Sequence, residues 1–342
     1  MGKMIADALC MNTKNVFFTC NGINMVGIID RGTHEINYIM GPTDEPFCLN
    51  HLYDGIQVND DKLVIFPYNA KNGYEYSLKE KTWKPIEGLF DGQTNGKEQV
   101  CGSILYEDRI YIVSDYYGDV ICYEPQKNKY SFPFKLSQRI GKAAFGGQTI
   151  GKNGNCIYIA RQYTNTIIKC NMDTCEVMVK DIDGGGAFIG TCYDGEYIWI
   201  VPKSSSNKLI KWRERDGGIE TYDIPSKDYI WGILPLGNNY LIYGYDEAAY
   251  IFDAVNVEFS KFDEQVYRAS WFEKDEVLMS TNNGKILYYH NGSNKDVYKL
   301  DDRKLDECYR HNAKEISKSL GGTIIQEGNG IQLSDYIAFI TT

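Results

Sequence analysis

The 342-residue sequence has no uninterrupted apolar run long enough to cross a bilayer as a helix, so no membrane-spanning helix is expected. Its first residues, MGKMIADALCMNTK, lack the apolar core of a secretory leader, and Ala6 departs from the Ser or Thr of a myristoylation signal. A cytoplasmic location without membrane attachment is the resulting expectation. Basic clusters are missing as well. Lys and Arg total 36 against 46 Asp and Glu, a formal net charge of −10, and no segment gathers the cations. A phosphate backbone would be repelled, so nucleic acid is not an expected partner. The four histidines, His34, His51, His290 and His311, form neither HxH nor HExxH, which removes the usual zinc spacings. DGQTNG (91–96) opens like a calcium loop but has no acidic residue at the distal ligand position. No motif names a cofactor. The ten cysteines contain no CxxC pair, and several stand inside apolar runs, such as Cys20 in VFFTC and Cys156 in CIYIA. They are expected to be buried and reduced; Cys170 and Cys175, flanking a short turn, are the one pair spaced for a hairpin disulfide.

What the chain does have is tyrosine, 27 residues of it against 9 Pro, a composition that suits half-buried strands. It also has repetition. Residues 207–224 read NKLIKWRERDGGIETYDI and residues 165–182 read NTIIKCNMDTCEVMVKDI, with Asn, Ile, Lys, Asp and Ile at shared offsets. Related units begin at residues 21, 72, 118, 248 and 284, giving seven copies whose starts lie 36–51 residues apart. Each reads as a hairpin of two strands about a polar turn, with Asp216-Gly217-Gly218 and Asn291-Gly292 supplying turn chemistry. A second pair of strands precedes each hairpin, as in TCYDGEYIWIV (191–201) and SILYEDRIYIV (103–113), so the unit is a four-stranded antiparallel meander, strands A to D. Strand B is continuously apolar (YIWIV, IYIVS, LVIFP, YLIYG, VFFTC), which requires cover on both faces, whereas strand D alternates with polar residues. Meanders of this length stacked face to face in a ring constitute a β-propeller, an all-β fold; seven blades are expected, with eight as the alternative, in a single domain over 1–342.

Two segments depart from the repeat. Residues 330–342, GIQLSDYIAFITT, resemble GIQVNDDKL at 55–63 and are expected to complete the first blade from the C-terminus, leaving residues 1–12 peripheral. Residues 302–320 carry Leu305, Cys308, Tyr309, Ile316 and Leu320 at helical spacing before Gly321-Gly322, and are expected to form one inserted amphipathic helix, a packing element or a lid.

Up-and-down strand order puts B–C loops and D–A crossovers on one face, where a propeller's channel opens to ligands. Those loops supply the candidate binding residues Tyr68, Asp115, Tyr116, Tyr117, Arg161, Tyr163, Trp231, Tyr245, Asp246, Arg268, Trp271 and His51. Aromatic faces offer stacking area, and Arg, Asp and His offer orientation, a pairing suited to sugars or peptides. His51 and His311 are also candidates for a general base. The glycines of DGGGAF and FGGQ precede strands rather than helices, so they are expected to permit tight crossovers and not to cradle phosphate.

The unit DGEYIWIV…NKLIKWRERDGGIETYDI resembles blades of the NHL and streptogramin-lyase kind, which share Asn-x-Ile/Leu before a middle strand and an Asp-Gly turn after it. The likeness covers about residues 20–300. WD dipeptides of WD40 repeats and the kelch double glycine after strand B are absent. The resemblance implies a propeller and, for its lyase members, a histidine base with magnesium on the ligand face; His51 or His311 would have to fill that place, and neither lies in a matching motif. The expected function is a non-catalytic propeller binding a carbohydrate or peptide at the channel face. A metal-assisted lyase or hydrolase using the same face, and a scaffold for a protein partner, are the alternatives.

Overall fold

The computed structural model describes residues 4–47, 51–90, 100–183, 186–203, 206–226, 230–244, 249–272, 275–300 and 302–311. Seven four-stranded sheets follow one another along the chain, each with its strands hydrogen-bonded in sequence order. They span residues 6–40, 53–85, 102–131, 145–181, 188–223, 230–261 and 266–299. This is the all-β architecture of a seven-bladed propeller, and all seven hairpins read from the sequence are its C–D pairs. Two compact units make it up: Met1–Glu98, Met279–Leu287 and Asp296–Thr342 in the first, and Gln99–Leu278 with Tyr288–Lys295 in the second.

The B strands show why their sequence is continuously apolar. In the second unit, Ile157 and Ile159 of Cys156–Arg161 join a core with Tyr111, Val113 and Phe145 of the blade before and the inner strand of their own. Tyr158 and Ala160, alternating with them, join Phe188, Ile198 and Ile200 of the next blade. Ile198–Pro202 repeats the arrangement, sending Ile198 and Ile200 one way and Trp199 and Val201 the other, toward Ile233 and Ile242. A period of two divides these B strands between two inter-blade cores, so their central residues are all buried, each fully buried aliphatic contributing roughly 1.5–3 kcal/mol. The D strands Val177–Asp181 and Ile219–Asp223 are almost wholly exposed, whereas Ile36–Met40 of the first blade buries Ile36 and Tyr38. Each D strand ends its sheet.

Turn chemistry follows the sequence. Asn291 and Gly292 both have positive φ, 50° and 69°, as a two-residue hairpin turn requires. Asp216 Oδ1 accepts from Gly218 N at 3.0 Å while Gly217 takes φ 75°. Nine cysteines, among them Cys170 and Cys175, are free thiols. No helix among the described residues is long and apolar enough to cross a membrane.

The chain ends differ from expectation. Ala6–Met11 is the inner strand of the first blade, not a peripheral segment: it pairs with Asn15–Cys20, and Ala6 N donates to Ser280 Oγ at 3.1 Å. Small side chains at Ala6 and Ala8 suit a strand buried against neighbours on both sides, a signal weaker than a run of large apolar residues. Residues 330–342 and the DGQTNG segment lie outside the described residues. The helix is described over Asp302–His311, with 312–320 beyond the described range. Leu305 is buried, and the Cys308 thiol meets Tyr38 O at 3.4 Å on the outermost strand of the first blade, so the helix packs there, with His311 in its last turn. A five-residue helix, Leu136–Ile140, sits in the crossover after the third blade; so short a turn leaves no periodic signature.

Candidate functional site

Inner strands share an irregularity the repeat pattern does not show. The pairing of strand A with strand B slips by one residue between Ala6 and Ala8, Tyr53 and Gly55, Phe188 and Gly190, and Ile230 and Gly232. One extra residue bulges in each case: Asp7, Asp54, Ile189 and Trp231. A β-bulge bends the strand and re-aims the inserted side chain, and the small residue that follows lets neighbouring inner strands approach. While B, C and D repeat their chemistry, this position carries two carboxylates, an aliphatic and an indole.

In the first unit the two acidic bulges converge on His51. Its Nδ1 lies 3.2 Å from Asp7 Oδ1 and its Nε2 3.7 Å from Asp54 Oδ1. Asn21 Nδ2 also donates to Asp7 Oδ1, at 2.9 Å. The Tyr68 ring meets the imidazole edge to face at 4.3 Å. His51 keeps 15% of its side-chain surface and Asp7 only 1%. Burial alone would pull the imidazole down, but Asp7 and then Asp54 outweigh it and push it up to about 9. A carboxylate stands at each of its nitrogens.

In the second unit Arg268 is sandwiched. Its guanidinium carbon lies 4.7 Å from the ring centre of Trp231 and 4.7 Å from that of Tyr267, and Nη1 donates to Tyr267 O at 3.4 Å. Arg268 is 5% exposed, while both rings are half-buried. Trp271 lies three residues along the same extended strand, which directs it to the opposite face.

The other candidates separate into different roles. Asp115 accepts from Phe145 N at 2.5 Å and so ties its B–C loop to the next inner strand. Tyr116 and Tyr117 meet edge to face at 4.9 Å, and Tyr117 packs on Phe132 at 5.0 Å. Tyr163 is 74% exposed with Lys203 Nζ 4.2 Å above its ring; Lys203 is held by Gln162 Oε1 at 2.6 Å. Arg161 is half-buried and makes no side-chain hydrogen bond or ion pair among the described residues. Tyr245 and Asp246 lie outside the described residues. Asp7, Asp54, Tyr267 and Lys203 escaped the sequence reading. For the first two a signal existed: aligning inner strands on the small residue puts Asp7, Asp54, Ile189 and Trp231 in one column.

The class these features define is the seven-bladed β-propeller fold. No protein-family model matches it, and no curated protein matches its sequence. Solved propellers share its fold. PorZ, an essential bacterial surface component of the type-IX secretion system of Porphyromonas gingivalis, superposes with TM-score 0.62 at 11% identity; the match covers 88% of this chain and 39% of PorZ, so this chain spans well under half of that protein. Catalytically inactive virginiamycin B lyase from Staphylococcus aureus with quinupristin gives TM-score 0.61 at 12% identity, over 83% of this chain and 94% of the lyase. The WD40 propeller domain of Doa1 gives TM-score 0.59 at 10% identity, over 84% and 93% respectively.

Proposed function

We propose that this propeller is a non-catalytic binding protein that recognises a carbohydrate or peptide at the loop face. The observation that carries the reading is the Trp231–Arg268–Tyr267 sandwich. A planar guanidinium held against two rings fixes their orientation at little further entropy cost, and the half-buried rings keep apolar area for a sugar face or a peptide side chain. Trp231 stands at the bulged inner-strand position that escapes the repeat, where sequence is free to encode a ligand instead of a blade.

Of the alternatives, the lyase or hydrolase reading needs a general base, and both ring nitrogens of His51 face carboxylates. Propellers of this shape include a WD40 domain and a lyase with its ligand, so the fold is neutral between the readings. The test is a glycan and peptide array probed with the whole chain, followed by calorimetric titration of the retained ligand. Trp231→Ala and Arg268→Lys should each weaken binding by about tenfold or more, as loss of a stacking or planar-fork interaction does. Retention of no glycan or peptide by the wild-type chain, or undiminished affinity in both variants, overturns the proposal.

A further inference from the structure

Charge is unevenly spread within the second unit. Residues 125–172 hold eight Lys and Arg and no Asp or Glu, in a chain whose net charge is −10. The cations there are scattered, so no basic motif marks the segment; the missing acids do. Folding brings four of them to the loop face. Lys135, Arg139 and Lys142 stand in the crossover after the third blade, and Arg161 ends the Cys156–Arg161 strand of the fourth. That crossover lies against the B–C loop of the third blade. Ser137 N and Oγ both donate to Asp119 Oδ2 at 3.3 Å, and a Cβ on Gly118 would stand 3.3 Å from Lys142 Cα. It runs on into Phe145, the pairing partner of Arg161, and Gln162 N donates to Ala144 O at 3.0 Å. Lys203 of the fifth blade extends the path, with its Nζ on Gln162 Oε1 and over the Tyr163 ring.

Pairing sets these cations apart. Elsewhere in the unit Lys127, Lys169, Lys211 and Arg213 each meet a carboxylate. Lys135, Arg139, Lys142, Arg161 and Lys203 form no ion pair among the described residues, and Lys135, Arg139 and Lys142 are exposed. The acids of the same face are engaged or outlying. Asp119 is buried and also accepts from Val120 N, Asp115 accepts from Phe145 N, and Asp181 at the outer strand accepts from Thr166 Oγ1 at 2.8 Å. Asp183 is exposed in the following crossover. Charges more than about 8 Å away are largely screened at physiological ionic strength, so the net negative charge of the chain does not cancel this local excess.

We infer that the loop face of the third to fifth blades binds an acidic glycan, whose uronate carboxylates pair with Arg139, Lys142 and Arg161. The planar fork of Arg161 matches a carboxylate, and cations set along a path match charges repeated along a sugar chain. Part-exposed rings beside the cations, Tyr116, Tyr117 and the 74% exposed Tyr163, favour a glycan over an acidic peptide. A pyranose offers an apolar face to stack on them, and Asp or Glu side chains offer none. The inference deepens the loop-face reading by naming the charge of the ligand, and it uses no residue of the Trp231–Arg268–Tyr267 sandwich.

Calorimetric titration of the whole chain at pH 7.5 tests it with trigalacturonate, triguluronate and a hyaluronan tetrasaccharide as probes. At least one should bind saturably at one site per chain, more weakly as salt is raised, and its carboxyl-reduced neutral form should bind about tenfold more weakly or worse. Arg161→Gln, and the double variant Arg139→Gln with Lys142→Gln, should each cost about tenfold in affinity for that probe. Lys127→Gln, at a cation already paired with Glu124, should change nothing. Exposure of Arg139 and Lys142 keeps the double variant folded if Arg161→Gln is not. Absence of saturable binding by all three uronates overturns the inference. So does equal affinity for the neutral form, or undiminished affinity in the double variant. Tighter binding of pentaglutamate or an oligouridylate overturns it in favour of a peptide or a nucleic acid. Retention of neutral glycans with no uronate binding removes this inference and leaves the sandwich reading standing.

Discussion

His51→Asn should lower the unfolding free energy by about 3–5 kcal/mol at neutral pH, the range for removing one partner from a buried ionic cluster. Asparagine is the informative replacement because His51 sits at φ 57°, a conformation asparagine tolerates, so the loss reports charge rather than backbone strain. Without the imidazole, the buried carboxyl groups of Asp7 and Asp54 lose the partner they share. The wild-type chain should show the same interaction through pH. A histidine raised from 6.5 to about 9 in the fold stabilises most when both folded and unfolded states hold its proton, below 6.5. As pH rises, the unfolded chain loses that proton first, and the contribution fades until the folded value near 9 is passed. About 3 kcal/mol should disappear across that window. Urea denaturation of both proteins at pH 6, 7.5 and 9 checks this, the difference between them isolating His51 from other titrating groups. A difference that stays constant across the window would sink the imidazolium assignment.

The blades were legible because their physics is local and repeated. A continuously apolar YIWIV states that both faces are covered, and Trp199 and Ile200 do enter opposite inter-blade cores. Asn291-Gly292 states a tight hairpin, and its two positive φ values supply one. The site was legible only as a set of loops. His51 was named from its crossover, but Asp7 lies 44 residues earlier in a segment that small side chains made look peripheral. Nothing in local pattern joins those positions; the bulges of two separate inner strands do. Arg268 and Trp231 were both named, yet the sandwich between them arises from neighbouring inner strands 37 residues apart, and Tyr267 enters only because the strand turns it back on Arg268. Charge state was beyond the sequence altogether: a loop histidine reads as a base until two carboxylates are found at its nitrogens.

Gly146→Ala should destabilise the chain by about 3 kcal/mol, the upper part of the range for overpacking. Inner strands Phe145–Asn153 and Phe188–Tyr193 approach so closely that a Cβ on Gly146 would stand 2.3 Å from Ile189 O, 2.5 Å from its carbonyl carbon and 2.6 Å from its Cα. All three are backbone atoms, and no rotamer change clears them; the strands themselves must part, loosening the two separate cores that Phe145 and Phe188 enter. Gly190 makes the instructive contrast. A Cβ there meets Thr149 Oγ1 at 2.4 Å, and a hydroxyl can rotate, although Ile233 N donates to it at 3.3 Å. Gly190→Ala should therefore cost less, about 1–2 kcal/mol for a partly relieved clash and one weakened hydrogen bond. Alanine's smaller unfolded-state entropy returns about 0.4–1 kcal/mol in both variants, so it cannot reverse their order. Denaturant midpoints measured side by side decide the matter. If Gly190→Ala proves the more damaging, the close approach of backbones is not what makes this inner position glycine, and the hydroxyl linking the inner strands is the stronger constraint.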